Sequence, residues 1–379
     1  MLPLWSLTKD GKAGTSVLSD LGNTWSIPAV GGESGGATWE LVLGNGYVNY
    51  EPATSSTADP RPHYLRLDPL TGGVRGNNTL SNFTTDQPMG GPWLRNQTFA
   101  DSSVWSTVAG FFQPDNDVNQ GVQLDLQGHV WLLPRPSLAS TTWSAPVAMP
   151  DADSIIAGDP LYYAAAVASF PSLSPSYNLY AFSSGTFYEK SAFVMGANVG
   201  IDSTPPAPPN FIPGLFLATR TNEAVPQTVI RKINIRDIPV TETITNPDGT
   251  TSTSTHNLGH RTQATAPPTI FVPNPGTQGL VAVIFLLFDP DASCAGRSYV
   301  VMVTFNPTAL SASGIQWSLR VAYAGEGAAS GMAIAGTMPV VAKSYAGTGG
   351  KGYFYLVEGL PISGAGGAGA PISWWAELQ

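Results

Sequence analysis

The chain has 379 residues, an apolar fraction of 42% and a charged fraction of only 11%, where soluble proteins average about 25% charged. So many apolar residues exclude a disordered chain, and the formal net charge of −9 with 17 Lys and Arg argues against direct nucleic-acid binding, which needs clustered cations. Long solvent-facing helices need charged outer stripes. A sequence with 41 Gly and 33 Pro, and Ser, Thr and Asn filling much of the rest, suits strands and turns.

Residues 1–100 are turn-rich, with short strands expected at 38–43 and 64–67. Asn77, Asn82 and Asn96 open N-x-Thr glycosylation sequons, which points to exposed loop there. Gly32-Glu33-Ser34-Gly35-Gly36 fits the nucleophile-elbow pattern, but an elbow needs a helix after it, and 37–43 reads as a strand. Residues 104–112 and 122–133 are the next strands; Val122, Leu124 and Leu126 alternate with Gln123, Asp125 and Gln127, the period of a half-buried strand. Just before them Asp115, Asp117 and Asn119 stand at alternate positions, as at the start of a calcium loop. They are a candidate calcium site, although the loop glycine comes one position late at Gly121 and no bidentate Glu follows. Asp151/Asp153 and Asp289/Asp291 are shorter versions of that spacing. No other cofactor is expected.

Asp159 as cap, Pro160 at the first position, an Ala-rich 161–170 and Pro171 as stop predict one short helix. A hairpin of 177–182 and 186–195 follows across Ser183-Ser184-Gly185. Residues 203–213 hold five prolines and read as a stiff connector, dividing the chain into a β-rich domain of 1–202, a linker of 203–213 and a β-rich domain of 214–379 with a Gly/Ala-rich tail. The best basic stretch, 231–236, puts Arg231 and Arg236 on opposite faces of a strand, so it forms no patch.

In the second half, strands are expected at 215–219 and 228–240. A Thr-rich hairpin of 240–245 and 250–256 turns at Pro247-Asp248-Gly249. It has almost no apolar face, so Asn246, Asp248 and Gly249 mark a loop that projects from the body or meets another subunit. His256 and His260 stand four apart, but Gly259 argues against the helix that would make them a zinc pair. Residues 279–288 and 298–305 are continuous apolar strands, and 317–323 and 352–357 complete the set. Gly347-Thr348-Gly349-Gly350-Lys351-Gly352 resembles a phosphate loop, but Gly352 stands where Ser or Thr belongs. Trp374 and Trp375 follow a flexible 364–371 stretch and must bury their rings on the body or on a neighbour, which makes them a candidate assembly contact.

Cys294 is the only cysteine, so no intrachain disulfide can form. No leader is evident, and the longest apolar run, 280–288, is far short of the roughly 20 residues a membrane helix needs; no membrane insertion is expected. No repeat of 20–50 residues is visible. The expected fold is therefore all-β, one or two antiparallel β-sandwich or jelly-roll domains with long loops and at most one or two short helices. The first functional expectation is a virion structural protein, an outer capsid or spike subunit assembled in a host cytoplasm. It would contact copies of itself and other virion proteins, and through attachment a host receptor or glycan. An extracellular carbohydrate-binding or adhesin module is the alternative, and a β-rich hydrolase with a carboxylate pair converging from distant positions is the third.

Overall fold

The computed structural model describes residues 28–33, 38–44, 63–79, 93–96, 118–124, 128–134, 145–149, 161, 163–170, 173–184, 213–222, 225–245, 249–259, 262–272, 281–290, 296–311, 314–326, 329–335, 338–346, 352–357 and 374–378. They are almost all strand, with one 3-10 turn at Ile235–Asp237, and the fold is all-β as expected. Among the described residues no helix is long and apolar enough to cross a membrane. The chain forms two compact units, Met1–Asn178 with Arg220–Thr228, and Leu179–Thr219 with Val229–Gln379. Residues 203–212 of the proline-rich connector lie outside the described residues, and Pro213 is buried.

Strands β1 (Ala29–Glu33), β2 (Thr38–Gly44), β3 (His63–Leu67) and β4 (Val74–Thr79) form one sheet in that order. Strands β5 (Trp93–Asn96), β6 (Val118–Leu124), β7 (Val130–Pro134) and β8 (Val147–Ala148) form the next, again in chain order. The third joins β9 (Ala166–Phe170), β10 (Tyr177–Ser183), β11 (Gly214–Thr221) and β12 (Thr228–Asn234). A two-stranded ribbon of β13 (Pro239–Thr245) and β14 (Thr251–Asn257) interrupts the series. In the fifth sheet β15 (Gln263–Ala264) and β16 (Thr269–Phe271) both pair with β17 (Val281–Pro290), followed by β18 (Gly296–Ser311) and β19 (Gly314–Glu326). Strands β20 (Ala329–Ala335), β21 (Met338–Ala346), β22 (Gly352–Val357) and β23 (Trp374–Leu378) close the series.

Within each sheet the paired strands follow one another in sequence, except that β15 and β16 both pair with β17. A meander of four strands is the connectivity of a propeller blade, whereas a jelly roll needs Greek-key crossovers, and none occurs among the described strands. The antiparallel all-β expectation holds.

Burial explains why the chain does not read as alternating strands. Every residue of β10 is buried, as are 281–288 of β17 and 298–305 of β18. Strands covered on both faces read as continuous apolar runs, as 281–288 does. In the first sheet, Leu43, Leu65 and Leu67 cluster on one face, with Leu41 and Val74 packed on them. On the opposite face Glu40 and Arg66 are buried too, Nη1 donating to Oε2 at 3.3 Å.

Three local expectations are corrected. Residues 161–170 do not form a helix: 166–170 is β9, an edge strand beside β10. Ser169 Oγ donates to Asn178 Oδ1 at 2.7 Å and the Phe170 and Tyr177 rings lie 5.0 Å apart, and such tertiary contacts override alanine's helix propensity. Gln123, expected on a wet face, is buried between Val122 and Leu124, its Nε2 donating to the Leu124 carbonyl at 3.0 Å. Asn77 and Asn96, read as loop sequons, sit in β4 and β5; Asn82 lies outside the described residues.

Candidate functional site

The ribbon of β13 and β14 stands out because its register sorts its side chains by type. Thr241 is opposite Thr255, Thr243 opposite Thr253 and Thr245 opposite Thr251. Directly opposed residues share a face, and alternate residues of a strand share it too, so Thr241, Thr251, Thr253 and Thr255 share one face of the ribbon, and the register makes three Thr–Thr rungs. The other face takes the rungs Val240 with His256, Glu242 with Ser254, and Ile244 with Ser252.

The sequence builds this element in a simple way. β-branched Thr favours the pleated strand without demanding burial, and the turn closes at Gly249, whose φ of +82° suits glycine and strains any residue with a Cβ. The root is apolar: Ile238, Val240 and Leu258 are buried, and the Leu258 amide donates to the Ile238 carbonyl at 3.2 Å. Beyond that root, Thr241 and residues 251–255 are exposed. Seven paired rungs from Pro239↔Asn257 to Thr245↔Thr251 span about 20 Å at roughly 3.4 Å per residue. On the threonine rung nearest the root, the Thr241 and Thr255 hydroxyls are 3.1 Å apart and hydrogen-bonded. A threonine hydroxyl can donate and accept at once, so each keeps capacity for a ligand.

β13 also packs against β19, the strand that carries Trp317. Trp317 is 39% exposed despite facing Phe305 in the register, and Gln316, Ser318 and Arg320 around it are exposed as well. The candidate site is thus the hydroxyl-faced ribbon itself, and β19, which β13 contacts, separately carries an exposed indole.

The other sequence candidates fall as follows. Gly249 is exposed at the end of the turn; Asn246 and Asp248 lie outside the described residues. Asp115 and Asp117 do too, while Asn119 is within β6. Among the described residues no group of three His, Cys, Asp or Glu is placed to hold a metal. Trp374 and Trp375 open β23, paired in register with Leu356 and Tyr355 of β22, so the tail returns to its own sheet as a strand. Gly32 and Glu33 end β1, and β2 follows antiparallel with Glu33 opposite Thr38; this is a hairpin, not the strand-to-helix turn of a nucleophile elbow. Residues 347–351 lie outside the described residues; the strands on either side of them, β21 and β22, pair antiparallel with Ala346 opposite Gly352.

Two further polar groups are structural. Arg75 at 2.6 Å, with the amides of Thr71 and Leu70, holds the Asp68 carboxyl down at about 2, and the group builds the β3–β4 turn. Burial pushes the Tyr177 phenol well above its ordinary value, which keeps it neutral. The rungs of the ribbon were legible as a Thr-rich hairpin; their sorting onto one face was not, because it depends on register. Trp317 was missed as a surface group, since its strand reads as core.

No protein-family model and no curated protein matches this sequence. Among solved structures it is similar to the Pseudomonas aeruginosa PilY1 C-terminal domain, at 13% identity and a TM-score of 0.47, over 93% of this chain and 73% of that one. A likeness that distant carries no function across.

Proposed function

We propose that this chain is a non-enzymatic attachment protein that binds a neutral carbohydrate through the threonine-faced ribbon, with the exposed Trp317 of β19 as a second contact for an extended glycan. The observation that carries the reading is the run of exposed threonines, Thr241, Thr251, Thr253 and Thr255, that the register brings to one face of a ribbon with a buried root. Sugar hydroxyls pair with donors and acceptors of their own kind, and the apolar C–H face of a pyranose packs on an aromatic ring, whose amphipathic character suits a half-wet surface. An acidic or basic ligand would find no counter-charge on this face. Immobilised neutral polysaccharides and a panel of neutral and charged oligosaccharides test it. Neutral glycans should be retained, and Trp317→Ala and the double variant Thr241→Val/Thr255→Val should each weaken retention about tenfold or more. Binding to charged glycans alone, or binding that survives both variants, overturns the reading.

A capsid or spike subunit is the second reading, and the uncharged outer strand of the ribbon favours it. Subunits of a shell meet through such surfaces, and a virion or other extracellular surface is where either role would be exercised. Particles or regular oligomers in electron micrographs of the purified protein would support it; a uniform field of monomers at all concentrations would remove it.

A further inference from the structure

We infer that the outer edge of β14 is a self-pairing site, through which two copies of this chain join their ribbons into one four-stranded antiparallel sheet. The inference concerns the backbone edge of the ribbon and is independent of what its threonine face binds.

A strand bonded on one side only presents a row of unpaired amides and carbonyls on the other, and proteins normally blunt such edges with charge, proline, bulges or a covering segment. Among the described residues β14 has one neighbour, β13. Residues 251–255 and 257 are exposed, so none of the described residues covers this strand. Its sequence, Thr-Ser-Thr-Ser-Thr-His-Asn, contains no proline and no Asp, Glu, Lys or Arg, and its register with β13 runs without a bulge. The β13 edge differs: it begins with Pro239, carries Glu242 and packs against β19. One edge is protected and the other is not.

The occupant is best matched by a second β14. Strand addition works by main-chain hydrogen bonds, with side chains on the flanking positions setting compatibility. Two β14 strands meeting antiparallel about a twofold axis place like residues on like faces, with no charge opposed to charge. Centred on Thr253, the pairing puts Thr251 opposite Thr255 of the partner subunit, repeating the Thr–Thr rungs that β14 already makes with β13. Since only one edge is open, the contact is isologous and closes at two copies. The joined sheet carries two threonine faces on the same side. A ribbon of seven residues buries less than the roughly 1,000 Å² of a stable interface, so the dimer is a weak one, with a dissociation constant on the order of 10–100 μM.

Sedimentation equilibrium of the full chain over roughly 1 to 300 μM should show the mean mass rising from monomer toward dimer. Ser254→Lys, which leaves the ribbon's own register and threonine face in place, should shift the midpoint upward at least tenfold, and Glu242→Lys on β13 should not. With Cys294→Ser as background, Thr253→Cys should form an oxidised dimer and Thr241→Cys should not. A chain that stays monomeric throughout, an association that Ser254→Lys leaves unchanged, or equal cross-linking at both cysteine positions overturns the inference. Glycan retention by a purely monomeric chain would sink self-pairing while leaving the attachment reading intact.

Discussion

The β17–β18 pair and the β13–β14 ribbon are both antiparallel hairpins of one compact unit, and they are stabilised in opposite ways. In β17 and β18 the side chains from 281 to 288 and from 298 to 305 are buried. Ala282, Ile284, Leu286, Val300 and Met302 make one cluster, with Ala266 joined to it and Phe271 packed against it. Phe285 and Val283 are buried on the other face. The ribbon has the same backbone pattern, but beyond Ile238, Val240 and Leu258 it exposes Thr241, residues 251–255 and Asn257, with His256 half-buried. Isolated hairpins are marginal in water, so the ribbon depends on its root, its turn and threonine's strand preference. One pair is held by burial and specifies the fold; the other is held at one end and is available for contact.

The contrast is testable first at its strongest point. Phe285→Ala removes a ring that is 1% exposed and should destabilise by about 3–5 kcal/mol, read as a lower midpoint in urea unfolding. A cost near that of a surface substitution would mean that the pair is not the core of its unit. The junction between the two regions comes next. A Cβ on Gly259, just past the ribbon, would lie 2.7 Å from Asp289 Oδ1, the oxygen that accepts the Thr262 hydroxyl at 2.7 Å. Gly259→Ala must therefore displace the carboxylate, at about 1–3 kcal/mol. Restoring much of that loss with Asp289→Ala in the same chain would confirm the clash as its cause.

How far the sequence disclosed these regions follows from the same difference. The ribbon was legible because its signals are local: a Pro-Asp-Gly turn between Thr-rich arms needs no distant partner. The β17–β18 pair was legible because burial on both faces leaves unbroken apolar runs. Gln123 misled for the converse reason, since a polar residue between Val122 and Leu124 has the period of a wet face whether or not something covers it. The Ala-rich stretch leading into Phe170 misled because helix propensity is local, whereas the Asn178 and Tyr177 contacts that hold it as a strand are tertiary. The site itself was half legible. A hairpin that meets solvent could be read from composition, but which threonines share a face is a statement about register, and composition alone did not separate a shell subunit from an attachment module.

A smaller effect is expected at the ribbon's tip. Gly249 has φ +82°, and a Cβ added there would meet nothing within 4 Å, so Gly249→Ala suffers only the left-handed backbone penalty of about 1–2 kcal/mol. Because the tip is far from the buried root, that penalty should loosen the ribbon locally. Amide exchange in 251–255 should speed up while 281–288 keeps its protection, and acceleration in both segments would show that ribbon and core unfold as one.

The smallest effect separates contact from stability most directly. Thr255→Val keeps the β-branched shape that favours the strand and removes one hydroxyl of the exposed pair with Thr241. Surface changes of this kind stay within about 0.5 kcal/mol, so thermal unfolding should be unchanged. If the hydroxyl rungs are there for binding, the same substitution weakens glycan retention while leaving the melting curve where it was. If they serve only to hold the two strands together, exchange in 251–255 accelerates and retention does not move. The two outcomes differ on two independent readouts, because a hydroxyl that is solvated on the free ribbon adds little to folding yet loses its partner when a ligand has displaced the water.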